Sequence, residues 1–371
     1  MKKSNRKLFV LILVFGVILI FILVFFQFKI EKIQEYNKKL QLEIESVEKN
    51  LLSIQNEKET LQKKLDELGS IKGGVQEHGQ LRVKGTDLVD QNGELIVLRG
   101  IGSHGLAWYP EYTNYRALRT LKEYGANVFR VSMYVDQNMG YIEEPDLNEK
   151  LMYSAIENSL AADLYTIVDW HVLRDENPNK NIDKAKKFFK NVAKRYGHEK
   201  GLIYEICNEP NGETSYEDIV EYASEIIPII RKYAPEAIIL VGTPKFCTSL
   251  EEVMEKPLEF DNIMYTYHFY AGVSDYEFAI EEISRGLEMG IPIFVSEWGL
   301  DSYEATKEMW HETDRFLEFL EEKNLGWINW SLSNKEEGYS IIEKDVLSIS
   351  QWEKNELTDM GKYVMDYIQG E

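Results

Sequence analysis

Two glutamates stand where the chain could do chemistry. The run Leu202-Ile203-Tyr204-Glu205-Ile206-Cys207 is mostly apolar and β-prone over the length of a buried strand, and it ends in Asn208-Glu209-Pro210-Asn211. Pro210 disfavours a helical Glu209 and stops the ladder, so the carboxyl is expected on extended backbone at the strand's C-terminal mouth. Ile291 to Ser296 repeats the design and delivers Glu297 at its end. Taken singly, each glutamate could be a helix N-cap or a surface acid after a strand. Together, in matched contexts and far apart in sequence, they suggest one carboxylate pair in one cleft, a pair suited to acid–base work.

The elements that must position them repeat. Eight strand candidates are spaced along the chain, at Ile96 to Gly100, Asn127 to Met133, Tyr165 to Trp170, Leu202 to Cys207, Ala237 to Val241, Ile263 to His268, Ile291 to Ser296 and Gly326 to Trp330. Periodic helical segments lie between them, with Ser215 and Asp218 as a capping start and Gly290 as a helix stop. Such alternation predicts an α/β fold, a (β/α)8 TIM barrel over residues 81–371. A doubly wound open sheet is the competing architecture, but no G-x-G-x-x-G loop supports it. Leu81 to Val83 and Leu88 to Asp90, with the Asn92-Gly93 turn, read as short strands able to plug one barrel end. Catalytic side chains of this fold gather at the C-terminal strand ends. Here those ends carry Arg130 and Tyr134, Asp169-Trp170-His171, Asn208-Glu209, Tyr267 to Tyr270, Glu297-Trp298 and Asn329-Trp330-Ser331.

The N-terminal part reads differently. Leu8 to Phe26 is an uninterrupted apolar run preceded by Lys2, Lys3, Arg6 and Lys7, long enough to cross a bilayer core of about 30 Å. A cleaved signal peptide is the alternative, but no small-x-small site follows. Residues 1–29 are therefore expected as a cytoplasmic tip and single transmembrane anchor, with the catalytic domain outside the cell. Over 30–68, seam positions Ile30, Asn37, Ile44, Leu51, Lys58 and Leu65 alternate with Ile33, Leu40, Val47, Ile54, Leu61 and Leu68. This predicts a coiled-coil stalk forming a parallel homo-oligomer, a dimer being favoured; a lone amphipathic helix is the alternative. Residues 69–80, with Gly69, Gly73 and Gly74, read as a flexible linker.

Composition narrows the partners. A net charge of −21 argues against nucleic acid, whose phosphates need a basic surface. The two cysteines, Cys207 and Cys247, form no disulfide framework or zinc spacing, and no cofactor or metal is expected.

The residues also resemble a known family. His104-Gly105-Leu106-Ala107-Trp108-Tyr109, Asp169-Trp170-His171, Ile203 to Asn211, Tyr267 to Tyr270, Val295 to Gly299 and Trp327 to Leu332 resemble glycoside hydrolase family 5, and look most similar to its bacterial endo-β-1,4-glucanases. The resemblance covers Leu81 to the C-terminus. It implies that Glu209 is the acid/base and Glu297 the nucleophile of a retaining hydrolysis of β-glucan, with Arg130, His171, Asn208, His268 and Tyr270 in support. It further implies substrate contacts from His104, Trp108, Tyr134, Phe246, Trp330, Lys335 and Glu337, and a cis bond between Trp330 and Ser331. Related cellulases often carry a tryptophan in the loop after strand five, where this chain has Thr243-Pro244-Lys245-Phe246, so the smaller Phe246 weakens the leaving side. The loop Asp136 to Glu144 departs as well. A β-mannanase of the same fold, or a non-catalytic sugar-binding scaffold, are the competing functions.

Overall fold

The computed structural model describes residues 73–370 and, before them, helical positions 25, 27, 29–30, 32–34, 36–41, 44, 47 and 49. The chain divides into two units, Met1–Ser70 and Ile71–Glu371. In the first, the described seam residues Ile30, Ile33, Asn37, Leu40, Ile44 and Val47 are helical and exposed. The expected anchor at Leu8 to Phe26, apart from Phe25, and most of the C-terminal half of the expected stalk lie outside the described residues. No helix among the described residues is long and apolar enough to cross a membrane.

The second unit begins earlier than residue 81. Val75–His78 forms a short helix, Gln76 N–H donates to Asp163 Oδ1 at 2.8 Å, and Val75 packs on the barrel floor. From Gly73 on, the segment expected as a linker is thus docked on the folded unit. A Cβ on Gly74 would sit 2.1 Å from Asp163 Oδ2, which leaves that position to glycine.

Strands β1 (Arg82–Lys84) and β2 (Asp87–Val89) pair as an antiparallel hairpin. Its turn lies at Gly85, whose φ is +66°; the Asn92-Gly93 turn follows β2, where the sequence places it, and lets Leu95 bridge back to Val89. Leu81, Leu88, Ile96 and Leu98 close the floor of a larger barrel, as a plug should.

That barrel is β3 (Arg99–Ser103), β4 (Val128–Tyr134), β5 (Tyr165–His171), β6 (Leu202–Glu205), β7 (Ile238–Val241), β8 (Ile263–Ala271), β9 (Ile293–Leu300) and β10 (Trp327–Leu332). Every pairing is parallel and β10 closes onto β3. The helices between strands cover the outside, and the capping box at Ser215 and Asp218 starts Tyr216–Arg231 as the sequence predicts. Seven strands match their expected positions within a few residues. The first is displaced from Ile96–Gly100 to Arg99–Ser103, because Ile96 and Leu98 are spent on the floor.

Inward positions recur with period two. Val128, Ile167 and Ile203 lie in the interior floor layer, so Arg130, Asp169 and Glu205, two residues on, occupy the layer above. In β9 that rhythm breaks. Thr266 pairs with Phe294 but His268 with Glu297, an extra residue in β9 that bulges the strand and brings Ser296 and Glu297 successively to the site.

Candidate active site

Arg130 stands at the centre, with no exposed surface. Its Nη1 donates to Glu297 Oε2 at 2.9 Å, its Nη2 to Asn208 Oδ1 at 2.6 Å, and its Nε to Glu205 Oε2 at 2.6 Å. Asp169 Oδ2 lies 3.1 Å from Nη2. Burial opposes the guanidinium charge, but Asp169, Glu205 and Glu297 together raise its pKa well above the ordinary value.

The two candidate carboxyls meet with contrasting surroundings. Glu297 accepts from Arg130 on one oxygen and from Tyr270 Oη, at 2.5 Å, on the other. Burial, and then Glu297 and Glu209, push the Tyr270 phenol well above its usual range, so it stays a donor. Among the described residues Glu209 receives no such pair of donors. Its carboxyl is pushed up to about 8 by burial, with Arg130 pulling the other way and Asp169 and Glu205 adding to the rise. An oxygen of Glu209, a ring nitrogen of His268 and an oxygen of Glu297 all lie within 4.8 Å of one another. These three could gather a cation. To bind one they would surrender existing contacts, since His268 faces Glu209 and Ser296, and Glu297 faces Arg130 and Tyr270.

Neighbours fix orientation. His268 Nδ1 lies 2.8 Å from Glu209 Oε1, and burial lowers this imidazole to about 4, so it is neutral. Burial and Arg130 also hold His171 well below its usual value. Its Nδ1 faces Asp169 Oδ2 at 2.6 Å. Asn208 has its amide oriented by accepting from Arg130 and donating to the Val172 carbonyl at 3.1 Å.

Most expected substrate contacts form one wall. Tyr134 packs between Trp108 (4.6 Å) and His171 (4.2 Å), and Trp330 stacks on His171 at 5.3 Å with 16° between planes. The Trp330–Ser331 bond is cis. His104 lies behind, 5.3 Å from the Trp330 ring and 3.4 Å from Glu337 Oε1, and Lys335 pairs with Glu337. Burial acts to raise Glu337, yet His104 and Lys335 hold it below the ordinary carboxyl range. Phe246 lies apart from this wall. It is half exposed and lines a cleft of about 520 Å3 with Glu209, His268, Tyr270, Val273 and Phe278. The structure therefore gathers every expected site residue around one mouth, with Phe246 on the Glu209 side.

Sequence reasoning missed Glu205 and Ser296 as site residues and left Asp169 without a role. All three are fully buried and touch Arg130, His268 or His171. The signal was present in the strand alternation that places Arg130, Asp169 and Glu205 on the same interior layer.

Two carboxyls with unequal surroundings facing one cleft are the pair that cleavage of a glycosidic bond uses. Comparison with known proteins agrees. The model of the family described as cellulase (glycosyl hydrolase family 5) matches residues 89–336. Endoglucanase A of Butyrivibrio fibrisolvens is 38% identical over 303 residues, covering 78% of this chain and 69% of that protein. An endoglucanase of Clostridium saccharobutylicum is also 38% identical, over 79% of this chain, which spans 65% of that relative's length. Among solved structures, the catalytic domain of Thermobifida fusca endoglucanase Cel5A in complex with cellotetraose superposes with a TM-score of 0.75 at 31% identity, covering 80% of this chain and 100% of that one.

Proposed function

The chain belongs to the cellulase family, glycosyl hydrolase family 5, and we propose that it hydrolyses internal β-1,4-glucosidic bonds of cellulose or a related β-glucan with retention of configuration. One observation carries this reading: oxygens of Glu209, just past β6, and Glu297, within β9, approach within 4.8 Å. Retaining glycosidases hold their carboxyls about 5–5.5 Å apart, whereas inverting ones leave roughly 6.5–9.5 Å for a water.

The steps follow from the environments. Glu209, protonated because burial disfavours its charge, donates its proton to the glycosidic oxygen as the bond to C1 breaks. Glu297, aimed by Arg130 and Tyr270, attacks C1 and forms a glycosyl ester. Glu209, now ionised, takes a proton from water; the resulting hydroxide attacks C1, breaks the ester and regenerates both carboxyls. Asn208, held by Arg130, offers its amide to the sugar's 2-hydroxyl, and Trp330 supplies a face for the sugar ring. The cellotetraose bound by the Thermobifida relative supports a cleft for consecutive glucosyl units.

The N-terminal sequence supports a second layer of this reading. The apolar run Leu8 to Phe26 would hold the enzyme at the membrane with its barrel outside, and the heptad seam would pair chains in parallel. Exposed helical Ile30, Ile33, Leu40, Ile44 and Val47 favour burial against a second copy. Cysteine cross-linking at Ile33 in membranes, with external protease as a probe of sidedness, tests both.

The substrate is tested by release of reducing ends from carboxymethyl cellulose, lichenan and mannan, with Glu297→Gln as control. Turnover of mannan alone would overturn the glucanase assignment. Binding of glucan without release of reducing ends would leave a sugar-binding scaffold.

A further inference from the structure

The barrel interior behind the nucleophile gathers three carboxyl groups, those of Asp169, Glu205 and Glu297, around the one guanidinium of Arg130. Glu205 is fully buried on β6, directly above the floor residue Ile203 in the inward series. Its Oε2 takes Arg130 Nε at 2.6 Å, while its Oε1 has no hydrogen-bond partner among the described residues. A bare polar atom in a packed interior is unfavourable, and an apolar side chain would avoid that cost. Packing therefore does not account for a carboxyl here. Its pairing with Arg130 does: burial raises the Glu205 carboxyl, and the charge and hydrogen bond of Arg130 pull it back toward the ionised form, while the remaining nitrogens of Arg130 reach Glu297 and Asn208.

We propose that Glu205 is a positioning residue that aims the Arg130 fork at Glu297 and Asn208, and that its negative charge inside the barrel keeps the proton on Glu209 until a leaving group takes it. The inference rests on the reading of Glu209 as the acid. Glu209 is faced by His268 and Tyr270 from β8, Arg130 and Tyr134 from β4, Asp169 from β5, Glu297 from β9 and Cys247 from the loop after β7. Arg130 is the fixed cation of this set and favours the ionised acid. Glu205 acts on Glu209 in the opposite sense, as does Asp169. Glutamine at 205 preserves an oxygen for Arg130 Nε while removing the charge, which separates aim from electrostatics.

The test measures kcat/KM against pH on cellotetraose for the full-length chain and its Glu205→Gln and Glu205→Asp variants. Glu205→Gln is expected to move the alkaline limb down by roughly half to one pH unit, with the rate at the optimum reduced less than about tenfold. Glu205→Asp, which retains the charge, is expected to bring the limb back toward wild type. An alkaline limb that stays in place in Glu205→Gln overturns the proposal, whether or not activity falls. Titration of the Glu209 carboxyl by NMR in folded Glu205→Gln reads the same shift without turnover, and an unchanged midpoint overturns it equally. Should Glu209→Gln leave the wild-type alkaline limb intact, the acid assignment itself has failed; if it abolishes that limb while Glu205→Gln does not move it, only the present inference has.

Discussion

Nδ1 of His268 lies 2.8 Å from Oε1 of Glu209, and the ring's other nitrogen lies 2.9 Å from Ser296 Oγ, one residue before Glu297. A neutral imidazole here has two useful tautomers. With Glu209 protonated, Nδ1 accepts and Nε2–H donates to Ser296; with Glu209 ionised, Nδ1–H donates and the Ser296 hydroxyl turns to donate to Nε2. The same ring thus serves the acid before and after it loses its proton.

The pH profile should show this pair. Glu209 must be protonated to act as acid, so activity is expected to fall as pH rises through about 8. His268 is neutral above about 4, so a second loss is expected as pH drops through that value and the ring becomes a cation that no longer accepts from Glu209. Rates on a soluble cello-oligosaccharide from pH 3 to 10 give both limbs.

Glu209 should serve activity at a cost in stability, and that cost should grow with pH. Its folded pKa is raised, so the folded state keeps a proton that the unfolded chain releases above about 4.5, and stability is lost as pH climbs from there through about 8. Glu209→Gln removes this dependence. The variant's melting temperature, compared with wild type, is expected to gain steadily with pH over that window, while turnover on unactivated substrate falls by about 10²- to 10⁴-fold.

Loss of Arg130 should be felt as instability before it is felt as inactivity. Arg130→Met would leave Asp169, Glu205 and Glu297 uncompensated in the interior. The expected destabilisation is about 3–5 kcal/mol, measured by urea unfolding. Arg130→Lys cannot reach Glu205, Glu297 and Asn208 at once, and should recover only part of it.

Phe246 should matter for binding on the leaving side alone. It is half exposed, so Phe246→Ala is expected to leave the melting temperature unchanged and to raise KM for cellotetraose about fivefold, the equivalent of about 1 kcal/mol of ring contact. Phe246→Trp should lower KM. An aryl cellobioside, with no sugar beyond the cleaved bond, should show neither change.

The glutamates were legible because each follows an apolar strand run, and in a parallel barrel all such runs end on the same face. Burial of the barrel strands on both faces makes them read as near-continuous hydrophobic segments. The first barrel strand was less legible. Two of its five residues, Gly100 and Gly102, are glycines, which carry no strand signal, and Gly100 is required by close approach, a Cβ there falling 1.9 Å from the Val128 carbonyl oxygen. Glu205 escaped for a different reason. Within a run scored by average hydrophobicity it is one polar residue, and only its phase relative to Ile203 shows that it points inward beside Arg130. The glycine-rich segment ahead of β1 suggested looseness, but Gly74 is glycine for contact with Asp163.

The extra residue in β9 has a consequence for anyone transplanting this chemistry. A barrel whose seventh strand keeps unbroken alternation cannot display neighbouring side chains to the same pocket, so writing Ser-Glu into it would send one of them outward under the helices. Deleting a single residue between Phe294 and Glu297 should likewise rotate the nucleophile away from Arg130 while leaving the scaffold's composition almost untouched. Catalysis in this barrel is a matter of frame as well as of residue choice.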